Sequence, residues 1–600
     1  MNVKQVLHAY WKVGLSFLFG LAVALFWALP YVSALSFQEQ YQLFLWTPAY
    51  FLQRLSVPGG LADYVAEFLT QFYYVPVVGA IILGLLLFAL QRVGWRVASQ
   101  CGAKWLWYPL SFVPAFALWA YMGDQNVMLS FVVSLLVASL LMWAYLYIDR
   151  RRGKCVFLAL SIPLGYWLFG ANILCFSVFV VAYEVLRNRE LKTFLQNVVV
   201  LFYALFVIYG CSWCVAYSFG RLLLGINYYR FPVYSPIMQL LVMTLVAFVP
   251  LLLTLLPAFK KSFLVVVETV VVALAGSLLL KMSYDAQTYE LIDNDFWVRT
   301  QQWNKIVSHA EKHPATTPMG VSIVNLALSQ QGQLADRLFD FYQNGGEGLF
   351  PTYSRDMTSP IPTAETFYRL GMVNEALRYC FEAQEAIPNF RKSGRLTQRI
   401  IDCEIINGHY GVARKLLHLI KNALFYRSWA ESRLAMLGNE HAVNADPVYG
   451  RLRQYRQKKH DFLFSDQEMD QMLGLLFASN KKNKMAYEYL VCYELLQRDL
   501  SRFMEYYPLG RYVDYDHIPR SFQEILVGTW LKTHADPRTI PYSVDQSVVN
   551  NTIDFLRTYS ANAKDPALSQ PPYVNNAWYY MLLSGTGTER KGKEKMKTIY

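Results

Sequence analysis

Long apolar runs dominate the chain up to about Met282, and beyond that point charged and amide residues become ordinary. The first run, Val13–Leu35, is about long enough to cross a bilayer as a helix. Eight more follow: Val75–Leu90, Trp105–Tyr121, Val127–Ile148, Cys155–Phe169, Ile173–Leu186, Phe194–Phe219, Pro236–Phe259 and Phe263–Met282. The pattern predicts an all-α polytopic membrane domain over residues 1–282, with about nine spans.

The fifth and sixth runs are shorter than a comfortable crossing. They meet at residues 169–172, and Pro163 and Gly165 lie inside the fifth. Either the pair re-enters the membrane from one side, or it crosses a thinned, protein-lined region. Both alternatives leave the orientation of the later runs unchanged.

The segment Ser36–Pro76 is too polar to cross a bilayer and too aromatic to be a solvated linker. Its Pro58-Gly59-Gly60 turn signal separates two amphipathic helical pieces. In the second piece, Asp63 and Glu67 lie one helical turn apart. Four apolar residues fall close to helical spacing: Leu61, Tyr64, Phe68 and Phe72. We expect this segment at the membrane surface, where it would form part of any site.

The connections between runs alternate in charge. One set is basic: Arg92/Arg96/Lys104, Arg150/Arg151/Arg152/Lys154, Arg187/Arg189/Lys192 and Lys260/Lys261. The other set has few cations: Ser36–Pro76, Gly123–Asn126, Gly170–Asn172 and Gly220–Ser235. The positive-inside rule places the basic set and the N-terminus in the cytoplasm. An odd number of spans then delivers everything after Met282 to the opposite side.

Net charge and cysteine content exclude some functions. The formal charge is +12, but many of the cations stand between apolar runs and set topology, so a nucleic-acid partner is not expected. The eight cysteines show no zinc-ligand spacing with histidine. His8 is the only histidine before residue 300, so no imidazole-bound metal is expected in the membrane domain.

The second half, residues 283–544, carries a pattern similar to tetratricopeptide repeats. Small residues occur where two antiparallel helices would touch, with a turn glycine between them. The first match is Ala364, Phe367, Gly371, Ala376, Ala383 and Pro388, and later matches are Gly408 with Ala413 and Gly474, Phe477 with Ala486. The prediction is a helical solenoid; a generic helical domain is the alternative. Residues 545–600 are polar, and we expect weaker order there.

Two carboxylates are the candidate catalytic groups. Glu39 follows the first run, and Asp124 lies in the loop Gly123–Asn126. If they met at a cavity mouth, one could take a proton from an acceptor hydroxyl or bind a cation. The alternative is that both are solvated loop residues.

The candidate substrate-binding residues belong to the same predicted side: Arg54, Asp63, Glu67, Arg221, Tyr228, Tyr229 and Arg230. Arginine pairs well with phosphate, and aromatic rings suit a sugar or lipid headgroup. An interfacial aromatic belt explains the tyrosines equally well. Glu268 lies within the last run, where it is either functional or able to reach the cytoplasmic surface.

This organisation resembles the GT-C class of membrane glycosyltransferases, and the outer helical repeats are similar to those of tetratricopeptide-bearing O-mannosyltransferases. The layout also resembles multispan proteins of Bacteroidota, which implies a bacterial inner membrane with a periplasmic C-terminal domain. The class usually has an acidic pair after the first span, whereas Phe37–Gln40 carries Glu39 alone. A divalent cation is therefore an open expectation, and no cofactor is assigned.

The resemblance implies a transferase that uses a polyprenyl-phosphate-linked sugar at the periplasmic face. A protein or glycan acceptor would be presented by the repeats. The alternative is a non-enzymatic scaffold, in which the spans anchor a solenoid that assembles envelope or secretion components. A transporter ranks third, because coupled transport would favour more buried charge than Glu268.

Overall fold

The structure is a computed structural model. It describes residues 3–188, 191–231, 236–257, 263–283, 285–353, 360–389, 391–457, 468–534 and 536–584, with side chains from residue 10 onward except those of 191–196. Helices form 75% of the described residues, and these residues contain no strand beyond two isolated bridges. The predicted all-α class is confirmed.

The chain divides into two compact units. The first comprises Met1–Tyr289 together with Pro388–Gly394 and Leu419–Ser428, and the second holds the remaining residues. The first unit therefore includes two short pieces of the half that was predicted to be wholly a repeat domain. We call Pro388–Gly394 and Leu419–Ser428 the return segments.

Thirteen helices lie before Ala286 in the described part of the chain. They are α1 (Val3–Ala28), α2 (Val32–Gln40), α3 (Pro48–Leu55), α4 (Gly60–Thr70), α5 (Pro76–Cys101), α6 (Val113–Tyr121), α7 (Leu129–Tyr145), α8 (Arg151–Phe169), α9 (Ile173–Arg187), α10 (Leu191–Cys211), α11 (Phe219–Leu224), α12 (Ile237–Leu255) and α13 (Phe263–Met282).

Within the described ranges, four helical stretches are long and apolar enough to cross a membrane: Tyr10–Ala28, Pro76–Cys101, Ile237–Leu255 and Phe263–Met282. Leu129–Tyr145 and Asn197–Cys211 are shorter apolar helices. On α13 the large apolar side chains are exposed, among them Phe263, Val266, Val270, Val271, Leu274 and Leu278. Such a surface is suited to lipid and would be costly in water. The described residues thus support four of the nine predicted spans by length and composition.

Prolines divide two of the predicted apolar runs. The first run does not continue to Leu35: α1 ends at Ala28, and after Pro30 a new buried helix, α2, begins at Val32. The run Trp105–Tyr121 forms two short 3-10 turns and then α6, which has only nine residues. Pro109 and Pro114 lack the N–H that a continuous helix needs, which accounts for this division.

The short fifth and sixth runs form α8 and α9. α8 begins at Arg151, so it takes in basic residues that were assigned to the connection, and it has 19 residues with Pro163 inside. α9 has 15 residues. The two helices are joined by the tight turn 170–172, in which Gly170 adopts φ +86°.

The four connections predicted to share one side of the membrane contact one another at one end of the first unit. The Gly59 N–H donates to the Trp167 carbonyl (2.9 Å), and the Arg230 N–H donates to the Asn126 carbonyl (2.8 Å). The Asn172 N–H donates to the Tyr228 hydroxyl (3.0 Å). We call this the loop-bearing end.

Residues in or beside two of the basic connections also contact one another and Lys12. The Tyr108 hydroxyl donates to the Lys12 carbonyl (2.6 Å) and accepts from Arg92 (3.3 Å), and the Trp107 indole donates to the Pro257 carbonyl (3.1 Å). These contacts link α1, the segment after α5 and the end of α12.

The helices from Ala286 onward are α14 (Ala286–Arg299), α15 (Trp303–Ala310), α16 (Pro318–Gln330), α17 (Leu334–Arg337), α18 (Pro360–Leu370), α19 (Val373–Glu385), α20 (Gly394–Asn407), α21 (Tyr410–Ile420), α22 (Arg427–Met436), α23 (Glu440–Ala445), α24 (Tyr449–Tyr455), α25 (Met469–Ser479), α26 (Lys484–Gln497), α27 (Leu500–Tyr506), α28 (Arg520–Leu531), α29 (Gln546–Ala561) and α30 (Ala577–Leu582).

Helix hairpins occur where the repeat pattern was recognised. Gly371 and Gly408 adopt positive φ in the turns between α18 and α19 and between α20 and α21. The small residues on these helices are buried: Ala364, Ala376, Ala383, Ala413 and, on α26, Ala486. Gly474 and Phe477 lie inside α25 at the same spacing as Ala364 and Phe367 on α18.

The expected loss of order after residue 545 does not hold for 545–584. These residues include α29 and α30, and Trp578 is buried with its indole donating to the Glu524 carbonyl (2.7 Å). A buried aromatic side chain with a satisfied N–H helps to dock this polar segment. The basic tail Arg590–Lys597 lies outside the described residues.

Candidate functional site

Glu39 lies on α2 and is buried, with 3% of its surface exposed. It accepts a hydrogen bond from the Tyr426 hydroxyl of the second return segment (2.8 Å). The neighbouring residues Ser33–Gln40 are buried as well, so the start of the predicted surface segment is an internal helix. The alternative of a solvated loop residue is therefore wrong for Glu39.

Asp124 is half-buried and held by its own loop and by the partner loop. One carboxylate oxygen accepts from the Asn126 N–H (2.9 Å), and the other accepts from the Tyr229 hydroxyl (2.7 Å). Burial raises the pKa of the Asp124 carboxyl, although these hydrogen bonds oppose the rise. Tyr229 thus contacts a predicted catalytic group.

Arg230 joins the loop of Asp124 to the helix of Glu39. Its guanidinium lies over the rings of Phe37 on α2 (4.8 Å) and Tyr41 just after α2 (4.6 Å), which flank Glu39 in the sequence. The side chain is 3% exposed, and burial lowers its pKa to about 10. Nη2 makes one long hydrogen bond, to the Gln125 carbonyl (3.5 Å). Two candidate carboxylates and one candidate arginine are therefore brought to the same end of the unit.

Arg54, Asp63 and Glu67 form a buried ion cluster with Arg391 of the first return segment. Arg54 Nε lies 2.9 Å from Glu67 Oε2, and Arg391 Nε lies 3.0 Å from Glu67 Oε1. Arg391 also pairs with Asp63, and the Tyr50 hydroxyl donates to Glu67. Burial raises the pKa of Asp63, while Arg391 opposes it. The two arginines neutralise the two carboxylates. Arg54, Asp63 and Glu67, which were predicted to bind substrate, are therefore paired with protein groups.

The return segments contact two connections of the loop-bearing end, Ser36–Pro76 and Gly220–Ser235. The Leu43 N–H donates to the Lys392 carbonyl (3.0 Å), and the Trp46 N–H donates to the Asn422 carbonyl (2.9 Å). The Asn389 amide donates to the Ile226 carbonyl (3.1 Å). Sequence reasoning missed Asn389, Arg391 and Tyr426, because their region carried only the helix-pair pattern.

The remaining two predicted binding residues have different environments. Tyr228 is buried, and its hydroxyl donates to the Phe169 carbonyl (3.0 Å) while the Asn172 N–H donates to it (3.0 Å). It therefore acts as a structural link between loops. Arg221 lies on α11 with its guanidinium over the Tyr217 ring (5.4 Å).

A small pocket lies between the loops. Its walls include Pro58, Gly59, Gly170, Asn227 and Tyr228. No group of three His, Cys, Asp or Glu side chains within the described ranges is arranged to hold a metal ion. The side chains of the described residues therefore do not fit a metal ion held by protein ligands alone.

Comparison with known proteins identifies a family and leaves its activity open. No curated protein matches the chain, and no solved structure matches it. One family profile matches residues 9–584, which is nearly the whole chain. The chain belongs to DUF6057, a family of unknown function.

Proposed function

We propose that the protein is a GT-C-like membrane glycosyltransferase that uses a polyprenyl-phosphate-linked sugar. The observation that carries this proposal is the placing of Glu39, Asp124 and Arg230 together at the loop-bearing end. A carboxylate close to a cation and surrounded by aromatic rings suits transfer of a sugar from a phosphate leaving group.

In this reaction one carboxylate, Glu39 or Asp124, takes the proton of the acceptor hydroxyl. The acceptor oxygen forms a bond to the sugar carbon, and the bond from that carbon to the phosphate oxygen breaks. The phosphate leaves with the electron pair, and Arg230 stabilises its charge. The raised pKa of Asp124 favours it as the base, since a base works best when its pKa approaches the ambient pH.

The proposal includes a bacterial inner-membrane location with about nine spans. The loop-bearing end and the second unit would lie in the periplasm, and the N-terminus in the cytoplasm. Support comes from the alternation of basic and cation-poor connections along the sequence, which the positive-inside rule relates to the two sides of a membrane. The helix hairpins of the second unit would form a tetratricopeptide-like solenoid that presents a protein or glycan acceptor.

The test compares a deletion strain with strains that carry Glu39→Gln or Asp124→Asn. We expect protein-linked glycan to disappear and its lipid-linked precursor to accumulate on deletion and with at least one of these variants, at normal protein abundance. Glu431→Gln, at an exposed position of the second unit, is the matched control and should behave as wild type. Unchanged glycans in the deletion strain would refute glycosyl transfer.

A scaffold is the second candidate, and the helix hairpins with buried alanines favour it. In that case the membrane helices anchor a surface that assembles envelope or secretion components. Loss of function confined to substitutions on the concave face of the proposed solenoid, with Glu39→Gln and Asp124→Asn active, would support the scaffold.

A further inference from the structure

Arg230 has buried hydrogen-bonding capacity that the described residues do not use. Nε and Nη1 have no hydrogen-bond partner among those residues, and Nη2 has only the long bond to Gln125. The Asn126 side-chain oxygen is likewise buried without a partner within the described chain. Buried guanidinium groups are normally paired, because an unpaired buried charge is strongly disfavoured.

The surroundings of Arg230 suit a ligand with oxygen acceptors. Phe37 and Tyr41 contact the guanidinium through their rings, which leaves its N–H edges available for in-plane acceptors. A planar guanidinium binds the oxygens of a phosphate or carboxylate through two parallel N–H donors. These donors therefore match an oxyanion.

The charges around Arg230 limit the charge of that oxyanion. Asp124 acts on Arg230 electrostatically and would repel an anion. Arg391 also acts on Arg230, but it is already paired with Asp63 and Glu67. A second negative charge would thus meet Asp124 without a second cation to balance it.

We propose that Arg230, between Phe37 and Tyr41, binds a singly charged phosphate diester and disfavours a diphosphate. This inference rests on the proposed function, because it specifies the donor as a lipid monophosphate sugar. An ordinary phospholipid such as phosphatidylglycerol has the same chemistry, so the experiment must separate the two sources.

The experiment uses the full chain in nanodiscs of phosphatidylcholine and measures lipid retained by the protein with native mass spectrometry. The probes are polyprenyl phosphoryl-hexose, polyprenyl diphosphoryl-hexose, phosphatidylglycerol and inorganic phosphate. The variants are Arg230→Gln and Arg230→Lys. Arg511→Gln, at an exposed arginine of the second unit, is the control.

We expect the wild type to retain the monophosphate-linked sugar more tightly than the diphosphate-linked one. Arg230→Gln should weaken retention about 10- to 100-fold, because charge-assisted hydrogen bonds are lost. Arg230→Lys should weaken it less, and Arg511→Gln should leave it unchanged.

Equal or tighter retention of the diphosphate would overturn the inference, as would unchanged binding by a folded Arg230→Gln protein or binding of inorganic phosphate alone. If Arg230→Gln does not fold, the inference is still tested by comparing how tightly the wild type retains the monophosphate-linked and the diphosphate-linked lipid. Retention of phosphatidylglycerol in an Arg230-dependent manner, without retention of the prenyl lipids, would support the phosphate-diester site and refute the proposed donor.

Discussion

At the scale of single residues, buried charge distinguishes the loop-bearing end. Arg54, Asp63, Glu67 and Arg391 are all buried, and each cation contacts both anions. Removing one member of such a cluster leaves an uncompensated charge in a poorly solvated place. The cluster therefore holds the first return segment against α4, and its three members before residue 70 are less available to a substrate than the sequence suggested.

Arg391→Ala should destabilise the protein by about 3–5 kcal/mol, because Asp63 and Glu67 lose their shared cation. Thermal unfolding in detergent, followed by tryptophan fluorescence, measures the change. Arg427→Ala removes an exposed arginine of the same unit and should change stability by less than about 0.5 kcal/mol.

Adding Asp63→Asn to Arg391→Ala should recover part of the loss, since the excess negative charge falls. Equal stability of Arg391→Ala and Arg427→Ala would show that the cluster does not form in the protein.

At the scale of elements, the local sequence pattern predicted where helices occur. It did not predict which face of each helix is buried. The Pro58-Gly59-Gly60 turn does separate two helices, α3 and α4. On α4, however, Asp63 and Glu67 are buried, whereas Tyr64 and Phe68 are only partly buried and contact Phe44. The carboxylates face inward because Arg54 and Arg391 neutralise them. The spacing of the aromatic residues along the sequence does not indicate this burial.

Docking of α30 should depend on pH through Glu524. Burial raises the pKa of Glu524 to about 7, Arg520 opposes the rise, and the carboxylate accepts from the Ala577 N–H (2.7 Å). The folded state thus binds the proton more tightly than the unfolded state, whose pKa is near 4.5. The stabilisation is complete below about pH 4.5 and is lost as the pH rises through about 7.

Glu524→Gln should therefore flatten this part of the stability profile between pH 5 and pH 8, by on the order of 3 kcal/mol. Resistance of the region around α30 to trypsin at each pH provides the measurement. Glu431→Gln, at an exposed position, should keep the wild-type slope. A wild-type protein whose stability in this region rises over that pH range would contradict the assignment.

At the scale of the whole molecule, the first unit is discontinuous in sequence. It needs Pro388–Gly394 and Leu419–Ser428 in addition to Met1–Tyr289. The predicted boundary at residue 282 was based on hydropathy. Hydropathy does not reveal that two short polar segments later in the chain pack with the apolar first half. Tyr426 and Arg391 contact two different helices of Ser36–Pro76, and Asn389 contacts Gly220–Ser235.

A chain that stops at Tyr289 should therefore fail to form a stable loop-bearing end. It would leave Glu39 without Tyr426 and the Asp63–Glu67 pair without Arg391. We expect rapid proteolysis of Ser36–Pro76 in membranes that contain this fragment, and protection when residues 290–600 are expressed with it as a separate chain. Equal protease resistance of the fragment and the full chain would contradict a role for the return segments.

The sequence by itself determined what depends on near neighbours: the all-α class, apolar helices suited to a membrane, the turns at Pro58–Gly60, Gly371 and Gly408, and the common end of Glu39, Asp124 and Arg230. Periodicity, turn chemistry and loop charge are local properties. Only the tertiary structure decided which charges are neutralised, because Arg391 reaches Asp63 and Glu67 across 328 and 324 residues. A pairing of that kind depends on where the folded chain returns, and a pattern along the chain does not encode it.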